Sequence, residues 1–257
     1  MDSTALDISI LLPALLAGVL VLATHVPLGR EVLARGIVFI DLAIAQIAGL
    51  GVIVADTLGL DPHAWGVQVA ALSAAAIGAI GLTWTEKRYP DSQEALIGVS
   101  FVLAACAGLI LMAGNPHGTE HLKDLLVGQI LWVSPTQLQL TALVTVLLLV
   151  LRKWLGQRLG RTGFYLIFAC AITLSVQLVG IYLVFASLII PALAVRQHAP
   201  RTALWLAYAI GVAGYALGLV ASAWYDVPSG AVIVWAIAVM ALLGQMFPVG
   251  KNERRVL

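Results

Sequence analysis

The stretch FYLIFACAITLSVQLVGIYLVFASLIIPALAV, residues 164–195, decides the fold class. It runs 32 residues without a charged side chain. A straight helix of that length would extend ~48 Å at ~1.5 Å per residue, against a bilayer hydrocarbon core of ~30 Å. Arg158 and Arg161 precede it, and Arg196 and Arg201 follow it. Cationic loops stay on the cytoplasmic side of a membrane, so both ends of the stretch belong on one side. The segment must go out and return, as two short helices or one broken helix, and Gly180 is the expected turn. Non-helical backbone at membrane depth survives only inside protein or beside a water-filled cavity. The break therefore marks an element tied to translocation.

The rest of the chain reads the same way. Of 257 residues, 61% are hydrophobic and 11% charged, against roughly 25% charged in a soluble domain. Apolar runs at 8–28, 36–58, 65–84, 95–114, 137–151, 203–223 and 231–247 join 164–195. The expected fold is all-α: a polytopic transmembrane helical bundle of about eight to nine spans, organised as one domain over 1–257. Trp65, Trp84, Trp154, Trp205 and Trp224 stand near span ends, where indole rings favour the membrane interface. The segment 115–136 carries an apolar core too short to cross, and reads as an outer-side interfacial or re-entrant helix ended by Ser134-Pro135. Cys106 and Cys170 sit in apolar runs outside any CxxC pair, which argues against a disulfide framework or a structural zinc site.

Charge sets the orientation. Thirteen of the fourteen Lys and Arg residues fall in five groups, around Arg30/Arg35, Lys87/Arg88, Arg152–Arg161, Arg196/Arg201 and Lys251–Arg255. Placing these in the cytoplasm leaves the N-terminus outside and the C-terminus inside. The N-terminal flank has Asp2 and Asp7 and no cation before Arg30, unlike a signal peptide, so the first run reads as a retained span. The net charge of +1 gives no reason to expect a nucleic-acid partner.

No GxxxxGK[ST] loop is present, so the chain is not expected to cradle ATP phosphates itself. No GxSxG or HExxH occurs, and an enzyme is not expected. His117-Gly-Thr-Glu120-His121 fits H-x-x-E-H, but Pro116 and Gly118 favour a turn over the helix that metalloprotease chemistry needs. These three residues are candidates for handling a metal in the outer loop. Asp41 is the one acidic residue placed within an expected span and away from its outer end, where Asp56 closes 36–58. A carboxylate at a helix centre costs ~2.5–3.5 kcal/mol on insertion scales, so it should face the bundle interior or a water-filled path. Arg35, six residues earlier, is the alternative partner for a shallow Asp41.

Three stretches resemble the ABC-3 family, the permeases of bacterial zinc, manganese and iron ABC importers. They are PLGREVLARGIVFIDLAIAQIAGLGV (27–52), the region from EALIGVSFVLAACAGLILM to DLLVGQILWVS (94–134), and QLVGIYLVFASLIIPALAVRQHAPR (177–201); a closing VPSGAVIVW (227–235) fits as well. The resemblance implies a divergent member in the bacterial cytoplasmic (inner) membrane, translocating a divalent metal as substrate with no permanently bound cofactor. Zinc is the favoured ion, with manganese or iron as alternatives. The implied partners are a cytoplasmic ABC ATPase, an extracytoplasmic metal-binding protein, a second permease copy and the lipid bilayer. The third block implies a coupling region in which Gly180, Pro191, Arg196 and Arg201 transmit motion from the ATPase. Family members carry Asp-x-x-x-His in the second helix. Asp41 matches the Asp, whereas the His position is Ala45, followed by Gln46. Gln46 lies ~140° round from Asp41 at ~100° per residue, so further donors, such as His25 or backbone carbonyls, are expected. The competing reading is a gradient-driven secondary metal transporter or channel, which would need no ATPase.

Reporter fusions after residues 90, 157 and 252 should signal cytoplasm, and one after 62 exterior. A cytoplasmic signal at 62 would refute this orientation.

Overall fold

The computed structural model of the chain describes residues 8–60, 65–112, 126 and 128–245, with the backbone alone for 155–159. The helices are α1 Ile8–Arg35, α2 Ile40–Thr57, α3 Trp65–Arg88 and α4 Gln93–Met112, then α5 Pro135–Trp154 and α6 Gly160–Val179, then α7 Ile181–Ala194, α8 Pro200–Tyr225 and α9 Ser229–Gln245. Among the described residues, α1–α6 and α8 are long and apolar enough to cross a membrane, while α7 and α9 are shorter apolar helices. This is a polytopic helical bundle, as the sequence led one to expect.

The elements differ from the sequence reading in informative places. The stretch 164–195 is broken at Gly180, which takes φ 79° and ψ 163° and stands between α6 and α7. α6 starts at Gly160, whose φ of 55° and ψ of −132° interrupt an otherwise helical run from Pro135 to Val179. α1 does not stop at residue 28 but continues through Pro27 to Arg35, where Arg35 pairs with Glu31 one turn back at 2.7 Å. Gly36, at φ 69°, then turns the chain, so α2 begins at Ile40 instead of 36. Ser134 and Pro135 do not end an outer helix; they start α5. The Ser134 Oγ accepts from the Gln137 N–H at 3.2 Å, and the Gln137 side chain accepts from the Ser134 N–H at 2.9 Å. This reciprocal capping box, with Pro at the first helical position, is a start signal. Residues 113–125 of the expected interfacial segment lie outside the described residues; its later part forms a 3-10 turn at Ile130–Trp132.

The bundle divides into two compact units. The first draws on residues 1–35, 127–145 and 178–257. Within it α8 packs on α9, and α7 packs on α1 and α9. Small residues permit these contacts, because helices in lipid associate by close backbone approach instead of hydrophobic exclusion. Gly214 and Gly218 face the backbone of Ile237 and Ile233 on α9, so the GxxxG spacing on α8 is used for packing. A Cβ on Gly29 would run into the Leu188 carbonyl of α7, and one on Gly18 into the ring of Tyr215. Gly128, at φ 71°, rests directly on the Val179–Gly180 peptide, with no room for a Cβ. The loop before Ile130 thus braces the α6–α7 break.

The second unit draws on residues 36–126 and 146–177. α2 lies at its centre, with α3 and α4 packed against it. The inward stripe of α3 is Val67, Ala71, Ala75, Ala79 and Leu82, while Val69, Ile77, Ile80 and Trp84 are exposed. Side chains small enough for close packing point inward, and large apolar ones face where lipid would be. Gln93, at the start of α4, is buried and satisfied: it donates to the Leu82 carbonyl at 3.0 Å and the Tyr165 hydroxyl at 3.1 Å, and accepts from Thr85 at 2.9 Å. It ties α3, α4 and α6 together. Cys106 and Cys170 are free thiols.

Gly128→Ala should lower stability by about 1–3 kcal/mol through overpacking at the break, read as a fall in melting temperature of the full chain in detergent. Gly81→Ala, with open space around it, should leave the melt unchanged or slightly raised. Equal melts for the two variants would remove the bracing role of Gly128.

Candidate translocation site

The first turn of α2 carries the site. Phe39 is the N-cap residue and offers no side-chain cap. Its backbone N–H instead donates to Glu94 Oε1, from the first turn of α4, at 3.3 Å. Asp41 follows two residues on and is 1% exposed. Among the described residues neither of its carboxylate oxygens has a hydrogen-bond partner, and the same holds for Glu94 Oε2. The positive end of the α2 dipole favours negative charge at this point, so the fold places two carboxylates where partial positive charge holds them, with three oxygens left over. Arg35, the alternative partner foreseen for Asp41, bonds to Glu31.

The other expected residues are placed as follows. Ala45 is buried on the face it shares with Asp41, while Gln46 is only half-buried, as helical geometry requires. His25 belongs to the first unit, on α1, and is fully buried. Its Nδ1 lies 2.9 Å from the Val21 carbonyl and 3.0 Å from Thr24 Oγ1, and its Nε2 has no partner among the described residues. His117, Glu120 and His121 lie outside the described residues. Among the described residues no three His, Cys, Asp or Glu side chains cluster as a metal site.

The residues expected to couple to the ATPase do not all group at one turn: Gly180 precedes α7, and Arg196 and Arg201 follow it. Pro191 is buried inside α7 and does not end it; the helix continues to Ala194. The turn comes at 195–199; Arg196 is exposed within it and Arg201 is exposed in the first turn of α8. Arg30 donates to the Pro200 carbonyl at 3.1 Å, tying α1 to the start of α8.

Two features escaped sequence reasoning. Glu94 was set just outside the fourth span and so was not weighed beside Asp41; α4 in fact starts at Gln93. The signal available was Pro90-Asp-Ser before it, a helix-start pattern. The second is Ser187 on α7, hydrogen-bonded to the Tyr215 hydroxyl on α8 at 2.9 Å, with both residues fully buried. No local pattern announces a contact between residues 28 apart.

A helix broken at Gly180 and carboxylates at the starts of α2 and α4, within an apolar bundle, fit a membrane transport component. The chain matches the ABC 3 transport family over residues 7–162 and 155–248, and it belongs to that family. It is therefore a permease-type subunit and not an enzyme. It is 26% identical to the high-affinity zinc uptake system membrane protein ZnuB of Haemophilus influenzae, over 91% of this chain and 96% of that one. It is 28% identical to the manganese transport system membrane protein MntC of Halalkalibacterium halodurans, over 94% and 88% of the two chains. Its fold is similar to that of PsaBC from Streptococcus pneumoniae in complex with Fab, with a TM-score of 0.74 and 23% identity over 96% of this chain and 94% of that chain.

Removing one partner of the Ser187–Tyr215 bond strands a buried polar group, at a cost of about 1–3 kcal/mol. Ser187→Ala and Tyr215→Phe should each lower the melt, and the double variant should lose less than the two together. Additive losses would show that the hydroxyls do not act as a pair.

Proposed function

We propose that the chain is the permease subunit of an ABC importer in the bacterial cytoplasmic membrane, acting as a single permease domain that carries a divalent metal ion inward. The observation that carries this reading is Asp41: a buried carboxylate without a hydrogen-bond partner, on a membrane-spanning helix of an ABC 3 family chain. Such a group is expensive in lipid and is expected on an ion pathway. The two relatives named for zinc and manganese support a first-row divalent ion. Zinc is the ion favoured from sequence. Manganese or iron is the second reading, favoured by Asp41 sharing its helical face with Ala45, since carboxylate and carbonyl oxygens suit harder ions and imidazole suits zinc.

The energy would come from a separate cytoplasmic ATPase, with an extracytoplasmic metal-binding protein delivering the ion and a second copy of this chain completing the pathway. The exposed Arg196 and Arg201 at the α7–α8 turn fit the ATPase contact, because α7 leads from that turn directly to the break at Gly180. Motion received at the turn would reach the break through one short rigid helix. A gradient-driven carrier would share the carboxylate but would need no ATP.

In proteoliposomes holding the full transporter, Asp41→Asn should reduce ATP-dependent metal uptake to that of vesicles without permease, while assembly with the ATPase persists. Uptake equal to wild type would leave Asp41 a structural residue. Wild-type uptake independent of ATP would favour the gradient-driven carrier.

A further inference from the structure

We propose that Glu94 is a second cation-contacting residue: with Asp41 it forms an oxygen-donor station at the amino end of α2 that takes a divalent ion. This rests on the importer reading above and adds a residue and an ion class to it.

The station is built within one unit, from α2 and α4. Glu94 Oε1 is held by the Phe39 N–H, two residues before Asp41. Glu94 also lies within electrostatic range of Asp41. That bond engages one of four carboxylate oxygens. The other three, Asp41 Oδ1 and Oδ2 and the buried Oε2 of the half-buried Glu94, make no well-formed hydrogen bond among the described residues, although the backbone amides of Asp41 and Leu42 lie beside the Asp41 carboxyl and that of Val38 beside Glu94. Two nearby carboxylates cannot both stay charged in low dielectric without a counter-charge, and neither forms an ion pair with a Lys or Arg among the described residues. A buried polar atom left unsatisfied costs free energy, and a divalent cation seated between the two groups satisfies three at once.

The donor set selects the ion. The donors in view at the first turn of α2 are carboxylate oxygens and, where that turn opens, backbone or water oxygens. Oxygen donors suit manganese or magnesium, and imidazole and thiolate suit zinc. The station therefore takes Mn(II) more readily than Zn(II). Lys87 and Arg88 end α3 just before α4 begins, and Arg30 and Arg35 lie on α1 just before α2. The cationic-side rule thus puts the station toward the cytoplasmic end of its helices, on the exit side of the path.

Capping alone is the competing role for Glu94, and it is separable. Glutamine keeps an acceptor for the Phe39 N–H and loses the charge; alanine loses both. The probe is Mn(II), titrated into the purified full chain in detergent and followed by the EPR signal of free Mn(II), with Zn(II) as competitor. Glu94→Gln should weaken Mn(II) binding by about tenfold or more, the scale of a lost contact at a metal site, while its melting temperature stays at the wild-type value. Asp41→Asn should weaken it at least as much. Wild-type Mn(II) affinity in Glu94→Gln, with a lowered melt only in Glu94→Ala, would make Glu94 a cap and overturn the proposal. Zn(II) displacing Mn(II) at substoichiometric concentration would overturn the ion class. Because binding is read without transport, a chain that binds Mn(II) through both carboxylates yet shows no ATP-dependent uptake would sink the importer reading and leave the station intact. Uptake lost in Asp41→Asn but full in Glu94→Gln would do the reverse.

Discussion

Hydrocarbon offers no hydrogen bonds, and this constraint orders the rest of the structure. Each backbone N–H and C=O within the membrane must find a partner in the protein, so an apolar chain becomes helices, and any break must be sealed. The break at Gly180 shows how. α6 ends at Val179, Gly180 takes a conformation open to glycine, and the Val184 N–H returns to the Gly180 carbonyl at 3.1 Å to start α7. Gly128 lies against the same peptide, so protein, not lipid, covers the exposed backbone.

The same economy appears in the polar side chains. Thr83 and Ser100 return their hydroxyls to carbonyls one turn back, at 2.7 and 2.8 Å, which hides them from an apolar surrounding. Gln93 on α4 uses its amide for three bonds to two other helices, α3 and α6. The unsatisfied oxygens of Asp41 and Glu94 differ from those of Glu86 and Thr173 in the same unit in belonging to two carboxylates near the amino end of α2, where the helix dipole tolerates negative charge. The lipid-facing positions show the opposite economy: Trp65, Trp84, Trp154, Trp205 and Trp224 are all more than half exposed, consistent with rings lodged at a membrane interface.

The coupling proposed for α7 fits its length. Its 14 residues amount to ~21 Å at ~1.5 Å per residue, shorter than the hydrocarbon core. One end is the turn carrying Arg196 and the other is the braced break. Gly29 brings α1 against the Leu188 carbonyl midway along it, and the Ser187–Tyr215 bond anchors the same level to α8. A short helix gripped on two sides would move as a rod, which is the property the proposed transmitting role needs.

By itself the sequence determined the class. A low charge density, apolar runs of bilayer length and cationic groups at alternate ends admit only a helical membrane bundle. The uncharged 164–195 stretch called for a break, which falls at Gly180 because only glycine takes that φ without penalty. Asp41 stood out because a lone carboxylate in an apolar run is costly wherever it lands. Tertiary structure decided what no local pattern encodes. α4 begins one residue before Glu94, so that its carboxylate reaches an amide 55 positions away. Arg35 turns back to Glu31 on a helix that outlasts its apolar run, leaving Asp41 without its nearest cation. Ser187 meets Tyr215, and Gly128 meets the Val179–Gly180 peptide. Each depends on which helix faces which. In an apolar chain the hydrophobic pattern points everywhere, so only packing between small residues and the placement of a few polar groups select among the faces.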